Sequence, residues 1–275
     1  FGGGTPERAA RYMEMIKSRY PCTVAWEWDT ILGFGAHVDN DNYLEFSTKK
    51  YVTEIRNKFL NGEAKPSREM PARESIESLP AAIDTLPEIG SPEDIAMHPM
   101  QQEGRELNGA LVHLSRGRID TAFQSAICSQ QTARMTYEGF EHLKEIARYA
   151  WAKEDAVMRY CGPHCKSLKL NPRMEPIRPY DEDGMVEYGL YLMGDGAQAT
   201  PNKTVPNSKS MGGYVVMFGG GAIDWRSYRI QTCTPDSTSV ETLVASRLAA
   251  RGVVPRGVAQ FMGVPQDRPT RLFTD

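Results

Sequence analysis

Near the start of the chain, Tyr12, Met13, Ile16 and Tyr20 recur at helical spacing. Thr5-Pro6-Glu7 precedes them as a helix opening, with Thr as N-cap, Pro at the first helical position and Glu near the positive end. Pro21 ends that helix. Cys22 to Trp28 and Ile31 to Val38 read as strands, Asp39-Asn40-Asp41-Asn42 as a polar turn, and Tyr43-Leu44-Glu45-Phe46 as the return strand of a hairpin. Tyr51, Ile55 and Phe59, spaced by four, predict a short helix.

The texture then changes. From Asn61 to Met100 there are six prolines, eight acidic residues against three basic ones, and no sustained period. That composition reads as a linker or extended connection. Helical spacing returns from about Glu103, and Thr136 is placed to cap a helix that turns Phe140, Leu143, Ile146, Ala147 and Ala150 towards a core. Val157 to Tyr160 reads as a strand, and the Pro-rich, charged stretch Gly162 to Gly184 as a second boundary.

Beyond that boundary the pattern is β-rich. Tyr188 to Met193 is a strand ending at Gly194-Asp195-Gly196. Gly213 to Phe218 and Ala222 to Trp225 flank Gly219-Gly220-Gly221, which offers the positive-φ positions of a hairpin turn. A helix starts near Thr238 and runs through Leu243, Val244 and Leu248 to Arg251, where Gly252 can cap it. Thr270 to Thr274 is a last strand.

Composition adjusts this picture modestly. The 275 residues suffice for one large domain or two ordinary ones, and 40% hydrophobic with 24% charged residues fits buried cores under a charged surface. No apolar run approaches the ~18 residues of a membrane span. The first residue is Phe1 rather than Met, and no signal-peptide pattern follows it, so the chain reads either as cut from something longer or as the product of a partial gene model. Net charge is -3, which argues against a generic nucleic-acid binder. From Pro201 to Asp275, however, nine basic residues face five acidic ones. Five scattered cysteines fit a reducing, intracellular compartment, cytoplasmic or nuclear. Cys161-Gly162-Pro163-His164-Cys165 lacks a second Cys/His pair to complete a zinc site and reads as a turn.

Three carboxylates stand at element edges in the C-terminal part: Asp195 at a strand end, Glu241 in the first turn of a helix, and Asp275 at another strand end. Converging carboxylates repel one another unless a cation neutralises them. Hard oxygen ligands of this kind suit Mg²⁺ or Mn²⁺, and two such ions can assist phosphodiester hydrolysis. Each residue also has a plainer role. Asp195 between glycines can make a turn, Glu241 can complete a capping box with Thr238, and Asp275 can be solvated.

Several segments resemble copia-type retrotransposon Pol polyproteins. Gly212-Gly213-Tyr214-Val215 through Gly219-Gly220-Gly221-Ala222-Ile223-Asp224-Trp225-Arg226-Ser227 is similar to the "GYV…GGGAISW.S" hairpin of that family's ribonuclease H domain. Ser237-Thr238-Ser239-Val240-Glu241 resembles its "STEAE" segment, with Ser239 in place of the first glutamate, and Leu272-Phe273-Thr274-Asp275 resembles its "LYCD" strand. Met193-Gly194-Asp195-Gly196-Ala197 falls where the family has its first catalytic aspartate. Fainter similarity runs upstream. Asn42-Tyr43-Leu44-Glu45-Phe46-Ser47 with Lys50-Tyr51-Val52 resembles "…ISQ.KYI". Gly109 to Leu114 with Arg118 to Phe123 resembles "GSLLYL…RPDIAF", and His142 to Tyr149 resembles "HW.ALKRILRYL".

The resemblance implies an α/β chain: an α+β reverse-transcriptase remnant followed by an incomplete RNase H-like fold with a mixed sheet. Residues 1–60 would be late palm, 61–100 a linker, 101–165 thumb or connection, 166–185 a linker, and 186–275 the truncated RNase H-like domain. It further implies that Asp195, Glu241 and Asp275 bind Mg²⁺ or Mn²⁺ and hydrolyse the RNA strand of an RNA–DNA hybrid. The hybrid would be read through its shape and 2′-hydroxyls. Lys203, Lys209, Arg226 and Arg229 are the candidate phosphate contacts, chosen for charge and nearness to the motifs. The remainder of the Pol polyprotein is the implied partner. The family's YxDD polymerase motif and fourth RNase H carboxylate have no counterpart in this chain, so polymerase activity is not expected, and an inactive or host-retained copy is the alternative.

Overall fold

The computed structural model describes residues 6–20, 30–39, 43–66, 79, 85–161, 190–198, 210–232, 234–261, 266 and 269–274. Among them the chain forms a mixed α/β arrangement of six α-helices and two four-stranded sheets.

Helix α1 (Pro6–Arg19) forms where its spacing predicts. Of its apolar stripe, Ile16 is 40% and Tyr20 65% exposed. The predicted strand over Cys22 to Trp28 lies outside the described residues, and the one over Ile31 to Val38 is broken in two. Leu32 (φ 54°) and Gly33 (φ 83°) both sit in the left-handed region and fold it into a tight hairpin of β1 (Thr30–Ile31) and β2 (Phe34–Val38). Strand β3 (Tyr43–Ser47) returns antiparallel to β2, as its alternation predicts. Strand β4 (Val157–Cys161) pairs antiparallel with β3, from Ser47 opposite Val157 to Tyr43 opposite Cys161.

Between β3 and β4 lies a helical core. Helix α2 (Lys49–Phe59) buries Val52, Ile55 and Phe59. Helix α3 (Pro92–Leu114) starts well before the expected Glu103 and so takes up the end of the supposed 61–100 linker. Its opening is well specified: Ser91 Oγ accepts the Asp94 N–H at 3.1 Å, Pro92 occupies the first turn, and Glu93 and Asp94 sit at the positive end. The Asp94 carboxylate also accepts the Gly90 N–H at 3.0 Å and an Arg134 N–H at 3.2 Å. A proline-rich composition therefore hid a helix whose first proline favours helix initiation.

Two short pieces, a 3₁₀ turn (Ile119–Thr121) and α4 (Ala122–Cys128), lead to a second 3₁₀ turn (Ser129–Gln131) and α5 (Tyr137–Ala152). Thr136 caps α5 as expected, its Oγ1 accepting the Gly139 N–H at 3.0 Å. Phe140, Leu143, Ile146, Ala147 and Ala150 are all buried, together with Leu107, Leu111 and Leu114 of α3. Each fully buried leucine or isoleucine of this set contributes roughly 1.5–3 kcal/mol relative to exposure.

The second sheet has the order β7-β6-β5-β8. Strand β5 (Tyr191–Ala197) pairs antiparallel with β6 (Met211–Phe218), and β6 with β7 (Gly221–Arg229). The β6–β7 turn uses Gly219 (φ 60°) and Gly220 (φ 77°) as its two left-handed residues. Gly221 does not share that role. It is the first residue of β7, and a Cβ there would stand 2.5 Å from Tyr160 Cδ1 and 2.7 Å from the Arg159 carbonyl oxygen.

Helix α6 (Ser237–Phe261) follows and crosses over to β8 (Arg271–Phe273), which lies parallel to β5. Two expectations for α6 are corrected. Asp236, not Thr238, caps its start, accepting the Ser239 N–H at 2.6 Å. The helix also runs through Gly252 and Pro255 rather than stopping at Arg251. Gly252 is buried where a Cβ would lie 2.8 Å from Leu192 Cδ1, so it permits close approach of helix and sheet instead of capping. Val240, Val244 and Leu248 of α6 close the core over Leu192, Tyr214 and Val216.

The outer strand β7 lies against the helical part. Trp225 Nε1–H donates to the Ser115 carbonyl at 2.8 Å, and the Tyr160 hydroxyl donates to the Ala222 carbonyl at 2.5 Å. No helix of the described residues is long and apolar enough to cross a membrane.

Candidate functional site

Strand β5 carries Asp195 inside the strand, not at its end as the sequence predicts. Its neighbours fix which way it faces. A Cβ on Gly194 would lie 2.9 Å from both Leu248 Cδ2 and Val244 Cγ1, and one on Gly196 would lie 2.5 Å from Val240 Cγ1. Both glycines therefore press against α6. Successive residues of a strand point to opposite faces, so Asp195 projects from the face away from that helix. Its side chain is exposed, and Oδ1 accepts the Gly196 N–H at 2.7 Å. Across the ladder stands Gly213, where a Cβ would meet only the Arg226 carbonyl oxygen at 3.9 Å. The carboxylate thus borders an uncrowded patch of strand.

Glu241 is half-buried in the second turn of α6, one residue beyond the fully buried Val240. With Asp236 as the cap, and the Thr238 carbonyl accepting the Thr242 hydroxyl at 2.7 Å, Glu241 completes no capping box with Thr238. The Ser239 N–H also holds the Asp236 carboxyl below the usual carboxylate range. Strand β8 is paired with β5 from Tyr191–Arg271 to Met193–Phe273. Asp275 itself lies outside the described residues. Of the three carboxylates, then, Asp195 and Glu241 are described, and Asp195 projects from the sheet face opposite the helix that carries Glu241. Among the described residues no group of three or more His, Cys, Asp or Glu side chains is arranged to hold a metal ion.

The basic candidates divide similarly. Lys203 and Lys209 lie outside the described residues, as does Gly162-Pro163-His164-Cys165. Arg226 is exposed on β7. Arg229 is half-buried, and its Nη1 donates to Gln130 Oε1 at 3.3 Å, which ties β7 to the turn after α4.

Sequence reasoning missed a charged cluster built on a buried arginine. Arg118 is only 3% exposed and forks onto Asp120, with Nε–Oδ1 at 2.9 Å and Nη2–Oδ2 at 2.6 Å. Its Nη1 donates to the Lys153 carbonyl at 3.0 Å, and the Tyr149 hydroxyl donates to Asp120 Oδ2 at 2.8 Å. Burial alone would push the Asp120 carboxyl up. The hydrogen bonds and charge of Arg118 outweigh it and hold the carboxyl below its ordinary value. Burial likewise disfavours the charged guanidinium, and the bonds to Asp120 reverse that too. The Arg-x-Asp spacing was the available signal, but burial of the arginine was not readable from it. This cluster joins two of the upstream motif segments and has the geometry of a structural clamp.

Compared with models of protein families, with curated proteins and with solved structures, the chain matches none.

Proposed function

We propose that the chain is a piece of a copia-type retrotransposon Pol polyprotein whose C-terminal part is of RNase H type. In the intact parent that part hydrolyses the RNA strand of RNA–DNA hybrids inside the cell. The observation that carries this reading is the topology of the second sheet. An antiparallel β5–β6–β7 meander is followed by the crossover helix α6 and by β8 parallel to β5, with Asp195 on the strand between β6 and β8. Parallel neighbours joined through a helix put the strand ends and the start of the helix at one end of a sheet, where such chemistry is assembled.

The donor chemistry of Asp195 fits a hard cation. One carboxylate oxygen is held by the Gly196 N–H, and the side chain stands over the open patch beside Gly213. In this reading Asp195 would hold Mg²⁺ or Mn²⁺, joined by Glu241 and Asp275. When bound, the ion would supply Lewis acidity to phosphodiester hydrolysis. The chain's own part is to fix the Asp195 carboxylate on the central strand β5, on the face it shares with Gly213 and Ser227.

A second reading is a non-catalytic copy that binds nucleic acid or partner subunits without cleaving. The packing of Gly194 and Gly196 on α6 favours it, because it turns Asp195 away from the helix bearing Glu241. A single assay separates the two. The protein is mixed with a labelled RNA–DNA hybrid in Mg²⁺, and binding and RNA fragmentation are followed together. Fragmentation of the RNA strand that Asp195→Asn abolishes supports the first reading. Binding without fragmentation, unchanged by Asp195→Asn, selects the second. Fragmentation that survives both Asp195→Asn and Glu241→Gln overturns the proposed site.

A further inference from the structure

Where β7 meets the helical part there is a groove of about 370 Å³, walled by the end of α3, by α4 and by β7. That volume is within the range of small-ligand sites, roughly 300–1,000 Å³. Its charge is lopsided. Among its lining residues Arg116 and Arg226 are the cations and Asp224 the one acid, and Asp224 Oδ2 accepts the Tyr214 hydroxyl at 3.4 Å. Neither arginine side chain makes a hydrogen bond or ion pair among the described residues.

A separate observation concerns Ser125. It lines the same groove, is 1% exposed, and its Oγ has no hydrogen-bond partner among the described residues. A buried hydroxyl left unsatisfied costs about 1–3 kcal/mol, so such a group needs a reason. Most helical serines satisfy themselves on the preceding turn, as Ser129 does by donating to the Ser125 carbonyl at 2.6 Å. Ser125 does not.

We propose that this groove is a binding site for a phosphate-bearing ligand. Arg116 and Arg226 would fork onto its oxygens and Ser125 would donate to it from the wall. Phosphate oxygens are acceptors only, which suits two donor-only guanidiniums and an idle hydroxyl. Trp225, already fixed by its bond to Ser115, adds an aromatic wall on which a base can lie. The inference goes beyond the hydrolytic reading and does not need it, although it shares Arg226 with the candidate phosphate contacts named from the sequence. β7 is the far edge of the sheet from β8, and no residue named here is one of the three candidate carboxylates.

The phosphate can belong to a free nucleotide or to a strand backbone. The test titrates the full chain with inorganic pyrophosphate, ADP and a short single-stranded oligonucleotide, using calorimetry and competition between them. Saturable binding that falls at least tenfold in Arg116→Ala/Arg226→Ala supports the site. Both arginines are exposed, so this variant is expected to fold. Ser125→Ala is expected to weaken binding several-fold while leaving the melting temperature of the free protein equal or higher, a pair of changes that a purely structural serine would not give. Oligonucleotide bound more tightly than ADP, and displaced by pyrophosphate, assigns the strand. ADP bound at least as tightly assigns the nucleotide. No saturable binding by any of the three probes, or affinity unchanged in the double arginine variant, overturns the proposal.

Discussion

The indole N–H of Trp225 donates to the backbone carbonyl of Ser115 at 2.8 Å, so a side chain from β7 satisfies an acceptor at the C-terminal end of α3. A helix leaves its last carbonyls without internal partners, and here one is met from across the molecule. Trp225→Phe keeps most of the apolar ring and removes the donor. The expected loss is about 1 kcal/mol, the net worth of an ordinary hydrogen bond. Urea unfolding checks it as a lower midpoint at unchanged slope. An unchanged midpoint would mean that water serves Ser115 equally well.

Glycine substitutions separate close approach from helix propensity. Gly221→Ala would drive a methyl against Tyr160 and the Arg159 carbonyl oxygen, and backbone cannot yield as a side-chain tip can. A loss of about 2–3 kcal/mol is expected, as for overpacking elsewhere. Gly257→Ala has nothing within 4 Å and lies inside α6. It should gain about 0.5–1 kcal/mol from helix propensity. Melting temperatures should therefore move in opposite directions.

Asp120→Asn would leave the buried Arg118 guanidinium without its counter-charge. Full burial of such a pair makes the loss about 3–5 kcal/mol, but the Asp120 side chain is 35% exposed, so about 2 kcal/mol is expected. The wild-type pair also sets a pH dependence. The Asp120 carboxyl titrates lower in the folded than in the unfolded chain. Its contribution is therefore complete above the unfolded value near ~3.9 and is lost as pH falls through the folded value. Denaturation curves between pH 5 and pH 2 should converge for wild type and Asp120→Asn.

Cys128 is 1% exposed, and burial pushes its thiol up to about 12. Thiolate is the reactive form, so Cys128 should stay unalkylated by iodoacetamide at pH 8 in the folded protein and react once denaturant is added. Peptide mass spectrometry reads this directly. Rapid labelling under native conditions would show that the α3–α4–α5 core opens readily.

The elements that local chemistry dictates were the legible ones. Thr136 with its apolar spacing announces α5, and Gly219-Gly220 announces the β6–β7 turn. Both succeed because capping and positive φ are properties of a few adjacent residues. Failures came where a tertiary contact decides. Gly252 looks like a helix stop and is a packing position against Leu192, while Pro92 looks like linker and opens a helix. The site was legible only as residue types. Gly194-Asp195-Gly196 suggests a turn, and only the seating of both glycines on α6 shows which face Asp195 occupies. The Ser125 hydroxyl and the groove beside it have no local signature, since they arise where two separate stretches of chain meet.

The pairing of β3 with β4 joins Ser47 to Val157, with α2, α3, α4 and α5 all lying between those residues in sequence. Closing so long a loop is entropically unfavourable until the intervening helices have condensed and drawn its ends together. The β2–β3 hairpin and the helices, held by local contacts, can form early, whereas the fourth strand must wait. Until it arrives, one edge of the hairpin stays open to pairing with strands of other chains. The first sheet is thus finished by its most distant member, and aggregation during refolding should compete at that step, with yields that fall as protein concentration rises.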